Sequence, residues 1–292
     1  MERLCRVLVL SVFSVIVAAA AEWPLSAGSQ GRPFYVSVTD SKGAPAPGVT
    51  ASDLVVEVNG KAAAVTSVVP ATEPVSFVVV TEGIRQDAIS EIRKMMKAVV
   101  VGARAIHPDS RVGLMIQDGA AAPKMHTVTT DAAALDAEIA RFFESSRNAP
   151  LLDGILIASQ ILAFEKHTRR VIVAVTRGQE DAQTDVMSPT KVKLAMRASG
   201  ASLWALDLGG RDAPTGAAEQ RVLSDVTSIS GGRQERTTVI SITPLTERIM
   251  ATLRGQYAIH LEDGLAPRAA SPKVSARTKG LKVLAPAWPA DK

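Results

Sequence analysis

Hydrophobic residues in the middle of the chain form short continuous runs that alternate with longer segments of helical periodicity. Residues 75–80 are almost uninterruptedly apolar, as expected for a strand covered on both faces. In residues 87–106 apolar side chains recur at helical spacing, which predicts an amphipathic helix. Further strands are predicted at residues 112–116, 125–130, 171–175 and 203–208. Further helices are predicted at residues 132–143, 151–164, 191–198, 219–230 and 244–253. This alternation predicts an α/β fold with a doubly wound, mostly parallel sheet and helices on both of its faces.

The two ends of the chain show a different pattern, with apolar and polar residues alternating as in half-buried strands. Near the amino end this pattern covers residues 34–38 and 54–58, and the pair Asn59-Gly60 after them is a strong hairpin signal. Near the carboxyl end, strands are predicted at residues 257–261, 273–276 and 281–284. Neither end alone could bury a core, so we expect the two to meet in one small β module.

These patterns predict four regions. Residues 1–21 are a signal peptide, and residues 22–72 form the N-terminal part of the β module. Residues 73–254 form the α/β domain, and residues 255–292 form a C-terminal β segment that completes the module.

The strand predicted at residues 125–130 is more polar than the other strands of the sheet, and we therefore expect it at an edge of the sheet.

The first region has the features of an export signal. Arg3 and Arg6 precede an uncharged apolar run, and Ala19 and Ala21 suit a cleavage site before Glu22. The alternative is an uncleaved membrane anchor, but the run is shorter than the roughly 20 residues that span a bilayer. We therefore expect an exported protein, periplasmic or extracellular, without a stable membrane span after processing.

Composition excludes several classes of function. The single cysteine, Cys5, precedes the apolar run, so the mature chain would have no disulfide, catalytic thiolate or cysteine-ligated zinc. The formal net charge is only +4, and lysines and arginines are scattered without an aromatic-rich basic stripe. Nucleic acid is therefore not an expected partner.

Catalytic motifs are weak in this sequence. Ser188 and Lys191 match the S-x-x-K pattern of some serine hydrolases, but the companion motifs S-D-N and K-T-G are missing, and Pro189 suits the first turn of a helix. We therefore interpret these residues as a helix start. The histidines lie in separate predicted elements without metal-ligand spacing, and each is expected at the surface or at a boundary. Trp204, inside an apolar strand, is expected in the core.

Several motifs resemble those of a known family. Residues 40–45 read D-x-x-G-x-P, residues 48–56 read G-V-T-x-x-D-L-x-V, residues 59–61 read N-G-K, and residues 253–257 read L-R-x-Q-Y. With these motifs the chain resembles the von Willebrand factor A-related domain proteins that bacteria export. The resemblance extends over nearly the whole mature chain. It implies the doubly wound sheet, a ligand site at the carboxyl ends of its strands, and a role in adhesion or assembly.

The resemblance also locates the family's metal-ion-dependent adhesion site, whose ligands are replaced in this chain. The D-x-S-x-S motif falls on residues with Thr81, Gly83 and Arg85 at its ligand positions. The expected threonine of the next loop falls on Ala149, and the aspartate of the T-D-G motif falls on Arg177. Magnesium requires oxygen ligands, and two guanidinium groups would repel it. We therefore expect a degenerate site that holds no metal ion, and no other cofactor is implied.

A shifted alignment remains an alternative, in which Glu82 or Asp153 supplies a carboxylate to a cation. Without a metal, Arg85 and Arg177 could meet an acidic side chain of a protein partner directly. They could instead pair internally with Glu82, Asp153 or Glu180 and only fill the old site.

The sequence therefore predicts an exported, non-enzymatic protein-interaction module. Two other functions stay open. One is a hydrolase or metal-dependent enzyme that uses unrecognised residues, and the other is a structural subunit with a vestigial site.

Overall fold

The computed structural model describes residues 33–82, 86–116, 124–142, 151–176, 188–208, 217–262 and 272–288. The strands are β1 Phe34–Thr39, β2 Leu54–Val58, β3 Lys61–Ala62, β4 Val65–Pro70, β5 Val75–Thr81, β6 Arg111–Ile116, β7 Lys124–Thr129, β8 Arg169–Thr176, β9 Ser202–Asp207, β10 Arg233–Arg236, β11 Tyr257–Leu261, β12 Pro272–Ala276 and β13 Lys282–Leu284. The helices are α1 Ile89–Ile106, α2 Ala132–Arg141, α3 Leu151–Phe164, α4 Ser188–Ser199, α5 Ala217–Ile229 and α6 Ile242–Arg254. The predicted signal peptide lies outside the described residues.

The centre of the fold is a six-stranded sheet in the order β10-β9-β8-β5-β6-β7. Its strands are parallel except for β7, which pairs antiparallel with β6 at one edge. The predicted doubly wound, mostly parallel sheet is confirmed, as is the edge position of the polar strand. Asp131 accepts hydrogen bonds from the backbone of Ala133 and Ala134 and so begins α2 as an N-cap.

Helices cover both faces of this sheet, and successive residues of β5 alternate between the two covers. Phe77 and Val79 pack with α1, α2 and α6, whereas Val78 and Val80 pack with α3, α4 and α5. All four side chains are 0% exposed, and burying each contributes about 1.5–3 kcal/mol. Trp204 is also buried, as predicted. Within the described ranges, no helix combines the length and apolar character that a membrane span requires.

Strand β10 is absent from the sequence prediction. Its four residues, Arg-Gln-Glu-Arg, are all polar, so no hydrophobic pattern marks them. The strand nevertheless pairs parallel with β9, because an edge position leaves these side chains partly in solvent. Backbone pairing to a neighbouring strand can thus form a strand where the side-chain pattern predicts none.

The two chain ends meet in a β module, as predicted. Strands from both ends form a four-stranded sheet, β13-β1-β11-β4, and a three-stranded sheet, β12-β2-β3. A separate apolar cluster that includes Val36, Leu54, Val56 and Ile259 fills the space between them. Tyr257, the tyrosine of the L-R-x-Q-Y motif, is buried there. Its hydroxyl donates to the carbonyl of Ala46 at 2.8 Å and accepts from the amide of Val49 at 3.2 Å.

Replacing Tyr257 by phenylalanine is expected to lower the free energy of unfolding by about 1–2 kcal/mol. The substitution removes both hydrogen bonds and leaves a buried carbonyl and a buried amide without that partner. Urea denaturation measures the loss. Tyr35→Phe is the control, because its hydroxyl bonds to the exposed side chain of Thr168, which can bond to water instead, and we expect a change within about 0.5 kcal/mol. Equal losses in the two variants would contradict the role assigned to the Tyr257 hydroxyl.

Candidate functional site

Three neighbouring parallel strands end in polar residues at the same edge of the six-stranded sheet. Strand β5 ends at Thr81, β8 at Thr176 and β9 at Asp207. In the register of the sheet, Thr176 lies directly beside Asp207, and Thr81 lies beside Val175. All three polar side chains are at most 3% exposed. This carboxyl edge is where open α/β sheets bind their ligands.

Glu82 follows β5 at this edge, and its carboxylate is directed into the protein. The side chain is buried, and Oε1 accepts a hydrogen bond of 3.1 Å from the hydroxyl of Thr176. The amide of Glu82 also donates to the carbonyl of Val175, at 3.4 Å. Burial of a carboxylate is tolerated only where such partners compensate for lost water. Glu82 therefore holds the ends of β5 and β8 together.

The resemblance assigns Thr81 to the first position of the family's metal motif, and in the structure its hydroxyl is buried without a hydrogen-bond partner. A buried hydroxyl without a partner costs about 1–3 kcal/mol. Among the described residues, no group of three or more His, Cys, Asp or Glu side chains could hold a metal ion. The loss of the metal site stays a prediction, because most of the replaced positions are not described.

Asp207 belongs to this edge, although no sequence motif marks it as a site residue. Its carboxylate lies 3.6 Å from Nε of Arg236 on β10, and its backbone carbonyl accepts from the amide of Thr237 at 2.8 Å. A charged residue at the end of the apolar strand β9 was the available signal. Its partner could not be recognised, because β10 itself carries no hydrophobic pattern.

The structure places only part of the predicted site. Thr81 and Glu82 lie at the carboxyl edge, and Asp153 is half-buried in the first turn of α3. The other predicted positions lie outside the described residues: Gly83, Arg85, Ala149, Arg177 and Glu180. Arg177 directly follows Thr176 in the chain, and Arg85 follows Glu82 by three positions. Both arginines lie outside the described residues, so their position at this edge stays a prediction.

Two of the weaker motifs have clear structural outcomes. Helix α4 begins at Ser188, which confirms the interpretation of the S-x-x-K pattern as a helix start. The expectation that every histidine lies at the surface or a boundary was wrong for His167. That residue is buried, and its Nδ1 lies 3.1 Å from the hydroxyl of Ser76. Burial lowers the pKa of the His167 imidazole because it disfavours the charged form of the ring.

Comparisons with known proteins identify the fold. No sequence family and no curated protein matches the chain. Among solved structures, the pilus adhesin SpaC from Lactobacillus rhamnosus GG is 10% identical, with a TM-score of 0.50, over 63% of this chain and 31% of the adhesin. A von Willebrand factor type A protein from Catenulispora acidiphila is 11% identical, with a TM-score of 0.48, over 77% of this chain and 50% of that protein. The SpRpn10 VWA domain is 16% identical, with a TM-score of 0.47, over 59% of this chain and 93% of that domain.

This chain therefore spans half of the Catenulispora protein and less than a third of the adhesin. At these identities the likeness shows the fold alone. The fold is that of the von Willebrand factor A domain, as the sequence motifs implied.

Proposed function

We propose that this chain is an exported protein-interaction module, serving adhesion or assembly, that binds an acidic protein partner at the carboxyl edge of its six-stranded sheet without a metal ion. The observation that carries the proposal is the inward direction of Glu82. Its carboxylate is buried against Thr176. The acidic residue that follows β5 is therefore used inside the protein.

The charges that we assign to partner binding at this edge are those of Arg85 and Arg177. Arg177 follows Thr176 directly, and Arg85 belongs to the segment that follows Glu82. A guanidinium group presents a planar set of donors that matches the two oxygens of a carboxylate. In the intact family a metal ion makes this bridge to the partner, and here the two arginines would make it directly. A pilus adhesin has the same fold, which is in keeping with a role in protein binding.

Charge reversal tests the proposal. The partner is first isolated with the mature chain as bait, from an envelope extract of the source organism, with and without a chelator. The double variant Arg85→Glu, Arg177→Glu is then compared with the wild type in a direct binding assay at several salt concentrations. We expect the double variant to bind at least tenfold more weakly and to lose the salt dependence of association, because the positive charges that attract the partner are reversed.

A matched double variant, Lys97→Glu with Arg248→Glu, changes the net charge by the same amount as the test variant. Its two substitutions lie at exposed positions on α1 and α6. It should bind as the wild type does. Unchanged affinity in the Arg85 and Arg177 variant would show that the carboxyl edge is not the binding surface.

The metal-free part of the proposal has a separate measurement. A ligand at 100 times its dissociation constant raises the free energy of unfolding by about 2.7 kcal/mol, which thermal melting detects. We expect no such shift with magnesium and no effect of the chelator on capture. A magnesium shift that Asp153→Ala abolishes would favour the shifted alignment instead.

A further inference from the structure

A cavity of about 340 Å³ lies at the opposite edge of the sheet from the candidate functional site. Its walls come from the amino ends of β8 and β9, from β1 of the β module, and from the segment after β13. A volume of this size falls in the range of small-molecule sites, which also tend to form where two structural units meet.

The cavity is strongly cationic. Arg169, Arg170 and Arg197 line it, and among the described residues that line it none is acidic. Arg169 is only 2% exposed, yet its guanidinium donates to four neutral oxygens at 2.7–3.3 Å and has no ion pair within the described residues. Its Nε is buried without any hydrogen-bond partner. Glu73 acts on this guanidinium electrostatically but lies beyond ion-pair distance, so Arg169 has no anion in direct contact among the described residues. Buried charges in proteins are normally paired with the opposite charge.

The rest of the wall is aromatic and hydroxylic. Phe34 and Trp288 are buried and supply apolar surface. The ring of Tyr35 lies 5.4 Å from the guanidinium carbon of Arg169, and its hydroxyl bonds to Thr168 at 2.9 Å. Burial raises the pKa of Tyr35 and lowers the pKa of Arg169, so two groups with perturbed titration meet in one cavity, as is common in binding sites.

We propose that this cavity binds a small organic anion, a carboxylate or similar acid group attached to an apolar body. The acid group lies among the three arginines, and the apolar body contacts Phe34 and Trp288. The arginine cluster alone would suit any anion, whereas the aromatic wall selects one with an apolar part. This site is separate from the protein-binding edge and does not depend on it.

Two fluorescent probes of similar shape test the site in the mature chain. Anilinonaphthalene sulfonate carries an anionic group on an apolar body, and N-phenylnaphthylamine is its neutral counterpart. We expect saturable binding of the sulfonate at one site per chain, at least tenfold tighter than binding of the neutral probe. Equal affinities for the two probes would overturn the proposal, because charge would then contribute nothing.

Two substitutions connect the binding to this cavity. Arg197→Gln removes one charge from a half-buried position on α4 and should weaken the sulfonate at least tenfold while leaving the neutral probe unchanged. Thr168→Trp places a large ring at an exposed lining position and should abolish binding of both probes. Lys97→Gln removes the same charge elsewhere and should change neither affinity. Circular dichroism checks that each variant is folded. Sulfonate binding that survives both cavity variants unchanged would overturn the site.

Competition identifies the class of ligand. Phenylbutyrate combines a carboxylate with an aromatic body and should displace the sulfonate probe, whereas inorganic phosphate should not. Displacement by phosphate alone would contradict the part assigned to the apolar wall.

Discussion

Replacing Arg169 by leucine is expected to lower the free energy of unfolding by about 3–5 kcal/mol. The guanidinium donates to the backbone carbonyls of Ala71, Glu73 and Leu253 and to the side-chain oxygen of Gln256. These acceptors lie in the link between β4 and β5, at the end of α6 and just before β11. The carbonyl of Leu253 keeps a hydrogen bond from the amide of Gln256 at 3.3 Å, but leucine satisfies none of the four acceptors, and each buried acceptor left without a donor costs about 1–3 kcal/mol. The single side chain therefore connects the β module to the six-stranded sheet.

Urea denaturation of the purified mature chain measures this effect. Arg169→Lys should recover little of the loss, because one ammonium group cannot reproduce the planar set of donors of a guanidinium. Arg104→Leu is the control, since Arg104 is exposed on α1, and we expect a change of about 1 kcal/mol or less. A loss below about 1 kcal/mol for Arg169→Leu would contradict the structural role described here.

Replacing Gly232 by alanine is expected to lower the free energy of unfolding by about 3 kcal/mol. A Cβ atom at this position would lie 1.8 Å from the carbonyl oxygen of Leu203 and 2.6 Å from its carbonyl carbon. Leu203 is a buried residue of β9, so the atoms in conflict belong to the backbone of the sheet. Accommodation requires β9 or the segment before β10 to move, and the pairing of these two strands would be weakened.

Gly102→Ala is the control variant, because its new Cβ atom would meet the side chain of Met250 and not the backbone of a neighbouring strand. At Gly102 the new atom would lie 2.7 Å from Cγ and 2.8 Å from Cβ of Met250. A rotamer change moves the Cγ atom, whereas the Cβ contact requires a small displacement of α6. Alanine in the interior of α1 also gains about 1 kcal/mol of helix propensity over glycine. We expect a net change within about 1 kcal/mol. If thermal melting and urea denaturation show equal losses for the two alanine variants, the tight approach of Gly232 to β9 is not a determinant of stability.

The two edges of the sheet differ in how they use charge. At the carboxyl edge the carboxylate of Glu82 is buried against Thr176, and Asp207 lies 3.6 Å from Arg236. At the amino edge Arg169 has only neutral acceptors within the described residues. Acidic groups thus have internal partners at the first edge, whereas the buried positive charge at the second has no opposite charge within ion-pair distance among the described residues. The proposed protein partner and the proposed small anion each supply negative charge to one of these edges.

The fold class could be predicted from the sequence because burial in this protein follows local periodicity. Strand β5 is covered on both faces and is almost continuously apolar, while α1 is covered on one face and is amphipathic. The cap of α2 by Asp131 and the start of α4 at Ser188 depend on residues within one helical turn. Such features need no knowledge of distant residues. Likewise, the positions of Thr81 and Glu82 follow from where the apolar run ends.

Other features depend on contacts between residues far apart in the chain, and only the tertiary structure decided them. Strand β10 has no hydrophobic pattern and exists because β9 offers it backbone partners. Neither the burial of Glu82 against Thr176 nor the position of Arg169 among acceptors from three segments has a local signal. A charged side chain usually lies in solvent, so its residue type alone predicts exposure. Burial of such a group becomes favourable only when the fold places enough oxygen or nitrogen partners around it, and that arrangement is a property of the assembled sheet and β module.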